Sequence, residues 1–583
     1  MTTALRARKA NTSTTGAILA ADVGSAHTRV MLFDVVENAY RLTARAQVLT
    51  TANAPIGDVG VGLRRALDEM TSQTGRYFMD AENNLLLRGT RDGSGARSFL
   101  ATASAGRPMR VMLVGLTPDL SLASAVKVLR GTYAEVVETL SLDDLRSAET
   151  QLNMILRREP DVIFIVGGTN GGAVAPVYNL LQTVRYAVLL APDPKPTVLY
   201  AGNESLHQDV VETLSGECRL FLARNVRPNL TMEVLEPAVL ELAIAYGEYR
   251  AAGVGGFEEL KDLSDVGVLP TAQAVGNVLR LLGEQPENPN GALYLDVGSA
   301  MTTVIAGFKG RVHTAIRPDL GIGASISEAV RAIGVANLNR WLGTELTSTA
   351  FTDIALNRLL HPATIPQTRR EMDVDFAFAR EALRQTVIAA RPEWGIGGDV
   401  LVAGMPIIAG GGVLAMGDNP HLGALLILDA LGAVGVFPLR LDPYGVMPAL
   451  GAMAYTDTAA AVQLLDSNAL LSGTAICPDG RPTGGTAMEI LIKYANGREV
   501  NRAIPAGAVR VIALPVGQKA KITVKLSRGL TLDGRRRVTF ETEGGVLGLI
   551  CDGRGRPLTL PRDDTKREAL LSAWYNGVAQ AMG

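Results

Sequence analysis

The stretch Ala17-Ile18-Leu19-Ala20-Ala21-Asp22-Val23-Gly24-Ser25 is echoed further along the chain by Ala292-Leu293-Tyr294-Leu295-Asp296-Val297-Gly298-Ser299. In both copies a threonine follows six residues after the aspartate, at Thr28 and at Thr302. Each copy predicts a buried strand, a tight glycine turn and a second strand. The two aspartates are 274 residues apart, too far for a solenoid repeat, so the pattern predicts two related halves.

A second pattern lies between the two copies. Four apolar runs, at 111–114, 162–166, 197–200 and 220–222, alternate with stretches of helical periodicity. Strands that alternate with helices in this way indicate an open parallel sheet. We therefore predict an inserted α/β domain at 107–225 within a first half at 15–290, and a second half at 291–466.

The two ends of the chain differ from the middle. Residues 1–14 carry basic side chains without apolar periodicity, and we expect a disordered basic tail. From 467 to 563, short alternating apolar runs are separated by turn signals, which predicts a small all-β domain. A C-terminal helix is expected at 564–583.

Composition excludes several classes of protein. Of 583 residues, 56 are Lys or Arg and 58 are Asp or Glu, so no basic surface for nucleic acid is expected. The three cysteines and five histidines are scattered, which argues against a disulfide framework or a histidine metal cluster. The scattered cysteines fit a reducing compartment, so we expect a cytoplasmic location. The apolar runs fall short of about 18 residues, so we expect no membrane span.

The two glycine turns suit phosphate binding. A glycine lets backbone N–H groups approach an anion closely, as Gly24 and Gly298 would do here. Hydroxyl groups following each glycine add donors: Ser25, Thr28, Ser299 and Thr302. Asp22 and Asp296 are candidate catalytic residues and candidate ligands of a hydrated Mg²⁺. One such turn alone is more often an ordinary β-turn, whereas two in equivalent contexts favour phosphate binding. Two such loops facing each other across a cleft would hold one nucleoside polyphosphate.

Two further glycine-rich stretches are candidates for ligand loops. An apolar run ends in Gly410, Gly411 and Gly412, where bare backbone would accommodate a flat purine. The stretch 167–172 ends an apolar run of the inserted domain, where open α/β sheets bind ligands. A plain connection explains this second stretch equally well.

Together these motifs resemble the accessory protein family associated with glutamate mutase, known as MutL or GlmL and unrelated to mismatch repair. The resemblance runs from about Ile18 to Ala452 and includes segments such as Ala101–Gly106, Gly167–Gly172 and Tyr200–Asn203. It implies duplicated actin-like (ribonuclease H-like) ATPase halves of the actin, heat-shock chaperone and sugar-kinase superfamily. It also implies an ATP-dependent helper that reactivates an adenosylcobalamin-dependent mutase. The two aspartate loops then fall on the phosphate motifs, and Gly410 to Gly412 on the adenosine motif.

The chain departs from the family pattern in its second loop, which usually reads Asp-Val-Gly-Gly-Ala-Thr-Thr-Asp. Ser299, Met301 and Thr303 stand where the family has Gly, Thr and Asp. Losing that carboxylate argues for weak ATPase activity at most. The cobalamin signature Asp-x-His-x-x-Gly is absent, so the mutase rather than this chain would carry cobalamin.

Other functions remain open from the sequence. One is an actin-like protein that self-associates into polymers. Another is a degenerate module that binds ATP without turnover. A small-molecule kinase is disfavoured, because no further aspartate stands out as a base for a substrate hydroxyl.

Overall fold

The computed structural model describes residues 7–9, 16–82, 84–87, 93–285, 288–394, 404–415, 417–467 and 469–582. The chain forms two compact units. The first unit comprises Met1–Ala105 together with Glu258–Gly583, and the second comprises Gly106–Phe257. No helix among the described residues is both long and apolar enough to cross a membrane.

The first unit begins with six strands and one helix: β1 (Ala7–Lys9), β2 (Ile18–Val23), β3 (His27–Val36), β4 (Ala39–Leu49), α1 (Val59–Thr74), β5 (Leu85–Leu87) and β6 (Ser98–Ala103). Of the expected disordered tail at 1–14, only β1 is described, and it pairs in parallel with β5. The rest of that tail lies outside the described residues.

The second unit is a parallel sheet with helices: β7 (Met109–Val114), α2 (Ala123–Leu129), β8 (Ala134–Leu140), α3 (Ala148–Arg158), β9 (Val162–Ile165), α4 (Ala175–Leu190), β10 (Thr197–Tyr200), α5 (His207–Leu214), β11 (Leu220–Leu222) and α6 (Glu236–Gly253). The strand order is β11-β10-β9-β7-β8, and every pairing is parallel. The unit extends beyond the predicted 107–225 because α6 packs on β10 and β11 through Leu242 and other buried residues.

The chain then returns to the first unit through α7 (Phe257–Leu263), β12 (Val268–Pro270) and α8 (Thr271–Glu284). The first sheet has the order β12-β6-β2-β3-β4. Strand β2 is antiparallel to β3 and parallel to β6, and β12 extends the parallel side. The apolar face of α8 is buried beside this sheet.

A second sheet repeats this arrangement. Its elements are β13 (Ala292–Val297), β14 (Thr302–Phe308), β15 (Arg311–Arg317), α9 (Ile326–Ile333), α10 (Val335–Asn339), α11 (Ser348–Leu360), α12 (Arg369–Ala390), β16 (Ile407–Gly410), α13 (Gly412–Ala415), α14 (Pro420–Leu431), β17 (Gly435–Leu441), α15 (Met447–Met453) and α16 (Thr458–Leu465). The order β15-β14-β13-β16-β17, with the same parallel and antiparallel senses, matches that of the first sheet. The two aspartate motifs therefore lie on equivalent strands, β2 and β13.

The C-terminal region adds β18 (Leu471–Cys477), β19 (Asp479–Gly480), β20 (Thr486–Tyr494), β21 (Glu499–Pro505), β22 (Val509–Ile512), β23 (Lys519–Leu526), β24 (Leu530–Thr531), β25 (Arg537–Glu543), β26 (Gly548–Asp552), α17 (Asp564–Ala579) and β27 (Ala581–Met582). Four of these strands extend the second sheet to nine strands, in the order β17-β18-β26-β22-β27. The region expected as an all-β domain at 467–563 thus shares a sheet with the second half, while β20, β21, β23 and β25 form a four-stranded sheet of their own.

Two buried contacts join parts of the first unit that are distant in sequence. Helices α8 and α15 follow the last strand of each repeat and pack so closely that a Cβ on Gly451 would lie 1.8 Å from the Ala274 carbonyl oxygen. In the second half, buried Asp429 pairs with Arg380 at 2.8 Å and with Arg554 at 2.7 Å. This pairing joins α12 and α14 to the chain that follows β26, so the C-terminal region is tied to the core by buried charge.

Candidate functional site

Strand register places both aspartates at the same position of their sheets. Asp22 lies opposite Arg29 of β3, and Asp296 lies opposite Thr303 of β14. Their parallel neighbours are Thr102 of β6 for Asp22 and Gly410 of β16 for Asp296. The two sites are therefore equivalent in backbone but different in the side chains that surround each carboxylate.

Asp22 is surrounded by donors from the protein itself. Its Oδ1 accepts hydrogen bonds from the hydroxyls of Thr102 at 2.8 Å and Thr271 at 3.1 Å. Its Oδ2 pairs with Nη1 of Arg29 at 3.4 Å, and the residue is only 3% exposed. Thr271 is the first residue of α8, so Asp22 links three strands of the first sheet to this helix. Both carboxylate oxygens are in use.

Asp296 is less fully bonded. Its Oδ2 accepts a hydrogen bond from the Tyr294 hydroxyl at 3.1 Å, and its Oδ1 has no partner among the described residues. Burial raises the pKa of the Asp296 carboxyl to about 6, assisted by the negative charges of Asp22 and Asp442 and opposed by Tyr294 and Arg29. Burial and the neighbouring Asp296 likewise raise the pKa of Tyr294. The pKa of Asp296 is thus raised towards neutrality.

A third carboxylate, Asp442, was not anticipated from the sequence. It follows β17 directly, which is the position that Thr271 occupies after β12. It is fully buried, and its two oxygens accept the backbone N–H groups of Val446 and Met447, each at 2.9 Å. Burial raises its pKa, while these N–H groups and Arg29 oppose the rise. An aspartate at the end of an apolar run before Pro-Tyr-Gly was the available signal.

Arg29 is the cation of this cluster. Its Nε donates to Gln47 Oε1 at 3.0 Å, and its charge lowers the pKa of both Asp296 and Asp442. A Cβ on Gly445 would lie 3.5 Å from its Cδ, so the side chain reaches the loop after β17. Arg29 therefore lies among carboxylates of both halves. No sequence pattern singled out Arg29.

The two glycine turns are closed by their own N–H groups. Gly24 N–H donates to His27 O at 2.8 Å, and Gly298 N–H donates to Met301 O at 2.9 Å. Those two N–H groups are consequently unavailable to an anion. The next N–H groups have no partner in the described part of the chain: Ser25, Ala26, Ser299 and Ala300. These are the donors that each turn offers.

The hydroxyl groups predicted to line the turns are placed differently from one another. Ser25 has no described hydroxyl partner, whereas Ser299 Oγ accepts from the Ala324 N–H at 3.0 Å and donates to Pro362 O at 3.4 Å. Thr28 and Thr302 pair with the valines that follow each aspartate, so their side chains lie on the opposite face of the sheet. Thr302 donates to Leu320 O at 2.6 Å, and buried Thr28 has no hydroxyl partner among the described residues. Both threonines are thus separated from the aspartates.

The triple glycine lies against Asp296. A Cβ on Gly410 would meet Asp296 Oδ2 at 3.0 Å, and one on Gly411 would meet the Val297 carbonyl oxygen at 2.5 Å. Gly411 also has a φ of +85°, which favours glycine. A Cβ on Gly412 would meet nothing within 4 Å. The close approach of bare backbone to Asp296 thus requires Gly410 and Gly411, while Gly412 borders open space.

The donor set limits how Mg²⁺ would bind. Within the described ranges, no three His, Cys, Asp or Glu residues are grouped as a metal site. Asp22 is occupied by two hydroxyls and a guanidinium, which does not fit direct ligation. Asp296 offers one free oxygen, which fits a Mg²⁺ ion that keeps most of its waters or phosphate ligands. The predicted pair of metal ligands is thereby reduced to Asp296.

The glycine-rich stretch of the second unit satisfies many of its own polar groups. It follows β9, and Gly167, Gly168 and Gly171 have positive φ. Asn225 Nδ2 donates to Gly168 O and to Asn170 Oδ1, each at 2.9 Å. These internal bonds favour a structural connection over a ligand loop.

Comparison with known proteins gives one family. The family model described as MutL protein matches residues 18–469. Protein MutL of Clostridium tetanomorphum is 23% identical over 387 residues, which cover 63% of this chain and 77% of that protein. Two solved structures align at low identity. Diol dehydratase-reactivating factor in its nucleotide-free form has 10% identity and a TM-score of 0.28, covering 77% of this chain and 99% of that one. Component A of (R)-2-hydroxyglutaryl-CoA dehydratase from Acidaminococcus fermentans has 11% identity and a TM-score of 0.25, covering 76% and 99%.

Proposed function

Because this chain belongs to the MutL protein family, we propose that it is an ATP-binding accessory protein that reactivates an adenosylcobalamin-dependent mutase. The family resemblance drawn from the sequence motifs is confirmed by the match over residues 18–469. That family is associated with glutamate mutase, which makes a mutase subunit the expected partner. The proposal has two parts, nucleotide binding and partner reactivation, and each has its own test.

The proposal of nucleotide binding rests on one observation: two glycine turns with free N–H groups lie at equivalent ends of two sheets with the same strand order. The N–H groups of Ser25 and Ser299 would bind phosphate oxygens, and Arg29 would neutralise their charge. Gly412 borders open space beside Asp296, where the adenosine would lie.

Asp296 would carry the remaining chemistry. Its free oxygen would hold a phosphate-bound Mg²⁺, which would supply charge neutralisation to the phosphates. A carboxyl with a pKa of about 6 is also suited to orient a water molecule near neutral pH. Nucleotide would act by biasing the two halves, joined through α8 and α15, between open and closed arrangements.

A substitution at Gly412 tests binding without disturbing the fold. Gly412→Leu should abolish ATP–Mg²⁺ binding in isothermal titration, because its side chain would enter the space left for the nucleotide. Gly484→Leu is the matched control, since a Cβ there also meets nothing within 4 Å. No ATP binding by the well-folded native chain, or equal binding by both variants, would contradict nucleotide binding.

Reactivation is tested with an inactivated glutamate mutase holoenzyme. The native chain with ATP–Mg²⁺ and free adenosylcobalamin should restore mutase activity, and Gly412→Leu should not. Lack of recovery with the native chain would reject the reactivating role while leaving nucleotide binding intact.

A second candidate is an ATP-binding module without turnover. The full occupation of Asp22 by protein donors favours it, as does Thr303 in place of the family's second carboxylate. Phosphate release from ATP distinguishes the two: binding with no release above the rate of the Asp296→Asn variant identifies the passive module. Sedimentation with and without ATP–Mg²⁺ tests the polymerising alternative.

A further inference from the structure

A cavity of about 490 Å³ lies beside β4 in the first unit. Five consecutive residues of β4, from Arg41 to Arg45, form one wall. The other walls come from Tyr444, after β17, and from the turn after α16: Asp466, Ser467 and Ala469. Strand β4 is at the edge of its sheet, so this wall includes backbone N–H and C=O groups that are not hydrogen-bonded to a neighbouring strand.

The β4 wall has an irregular backbone. Leu32 and Phe33 of β3 face Ala44 and Leu42 of β4, so that Thr43 is an extra residue in the pairing. A bulge of this kind bends the strand and redirects its side chains, and such bulges are common at sheet edges and beside binding sites. The bulge lies between Arg41 and Arg45, the two cations of the cavity.

In the described part of the chain, the protein compensates the charge of these two arginines without a direct ion pair: the carboxylate of Asp442 favours the charged form of Arg45, and Asp466 lines the same cavity. Among the described residues, neither Arg41 nor Arg45 forms an ion pair with a carboxylate. Arg41 donates to its neighbouring Tyr40 carbonyl at 3.1 Å. Arg45 Nη2 donates to Gln47 Oε1, and Arg45 Nε is shielded from solvent with no described acceptor. A shielded N–H without an acceptor is costly, and it leaves the Arg45 guanidinium only partly satisfied by the protein.

We propose that this cavity binds a small molecule carrying a carboxylate or phosphate group, held by Arg41 and Arg45. Guanidinium groups bind both anions through charge-assisted hydrogen bonds. The volume suits a small metabolite, and Leu42, Tyr444 and Ala469 supply apolar surface for its remaining atoms. Asp466 on the opposite wall disfavours a highly charged polyanion such as a nucleoside triphosphate.

The cavity adjoins the surroundings of the proposed nucleotide site, because Tyr444 of its wall lies two residues after Asp442 and Gln47 contacts both sites. Gln47 Oε1 accepts from Arg45 and also from Arg29 Nε at 3.0 Å. Arg41 has no contact with the Asp22 cluster among the described hydrogen bonds. Substituting Arg41 therefore separates failure of this site from failure of nucleotide binding.

The test is titration of the native chain with inorganic phosphate and with succinate, beside Arg41→Gln, Arg45→Gln and the control Arg311→Gln. Arg311 is on β15, the edge strand equivalent to β4 in the second half. We expect saturable binding of at least one probe, weakened at least tenfold by each cavity variant and unchanged by the control. Tighter phosphate identifies a phosphorylated ligand, and tighter succinate identifies a carboxylate.

Two results would overturn the assignment. One is the absence of saturable binding of either probe at concentrations up to about 10 mM. The other is equal binding by native chain and Arg41→Gln, since phosphate held at the glycine turns would survive that change. Arg41 is exposed and makes only a local bond, so Arg41→Gln should keep the native melting temperature and remain interpretable if Arg45→Gln does not fold.

Discussion

Replacing Asp296 by asparagine should change how the stability of the first unit depends on pH. The pKa of this carboxyl is about 6 in the folded chain, against 3.8 for an ordinary aspartate. Between these values the native state holds a proton that the unfolded state has lost, so raising the pH destabilises the native state. The asparagine variant has no proton to lose at this position.

The size of the effect follows from the same two values. A pKa of about 6 against 3.8 corresponds to about 3 kcal/mol of unfolding free energy over the whole titration, most of which is lost between pH 4 and pH 7. Asp296 is partly exposed, and solvent screening reduces this to about 2 kcal/mol. We therefore expect the stability of Asp296→Asn relative to the native chain to rise by about 2 kcal/mol from pH 4 to pH 7.

Urea unfolding followed by tryptophan fluorescence measures this difference selectively. All three tryptophans, Trp341, Trp394 and Trp574, lie in the first unit, so the signal reports the unit that contains Asp296. Asp353→Asn, on the exposed surface of α11, is the control for removing a carboxyl group elsewhere in the same unit. A flat difference for Asp296→Asn, or one that falls as the pH rises, would refute the assignment of Asp296 as a carboxyl that titrates near pH 6.

Three further substitutions test the Asp22–Arg29 pair, the contact between α8 and α15, and the buried charge cluster of the second half. Arg29→Gln leaves buried Asp22 without its cation and should lower the unfolding free energy by about 1–3 kcal/mol and weaken ATP binding, as read by urea unfolding and titration calorimetry. Gly451→Ala places a Cβ 1.8 Å from the α8 backbone and should lower the free energy of unfolding by about 1–3 kcal/mol or more. Gly247→Ala on α6, where a Cβ meets nothing within 4 Å, should not lower it, and thermal denaturation compares the two variants. Asp429→Asn leaves two buried arginines without their shared carboxylate and should cost about 3–5 kcal/mol, with faster proteolysis of the C-terminal region.

The sequence predicted the frame of the site because that frame depends on local pattern. Apolar runs before Asp22 and Asp296 specify buried strands, and a glycine two residues after each aspartate specifies the turn. The apolar run that ends in Gly410 likewise predicted a strand followed by a glycine-rich turn. The sequence placed Thr28 and Thr302 beside the aspartates, but the structure places them on the opposite face of each sheet. Which face a side chain occupies depends on the strand register, and the repeat alone does not reveal that register.

Arg29 and Asp442 could not be found in this way because they meet only through tertiary structure. Arg29 is seven residues after Asp22 but lies opposite it across the hairpin. Asp442 follows β17 directly, more than 400 residues after Arg29 in the chain, and only the fold brings their charges close together. The sequence likewise predicted a separate all-β domain at 467–563, because the alternating pattern of a strand is the same whether the strand forms a new sheet or extends an existing one.

The duplication has diverged in the chemistry of its two aspartates. Thr102 and Thr271 bind Asp22 to β6 and to the start of α8, so this carboxylate joins a sheet to a helix that contacts the other half. The corresponding neighbours of Asp296 are Gly410 and Asp442, neither of which donates a hydrogen bond to it, and it keeps an open oxygen. A carboxylate saturated by protein donors is suited to holding structure, whereas one that is under-bonded and easily protonated is suited to a ligand or a water molecule. Both halves therefore offer N–H groups to the proposed nucleotide, whereas a free carboxylate oxygen is offered by Asp296 and not by Asp22.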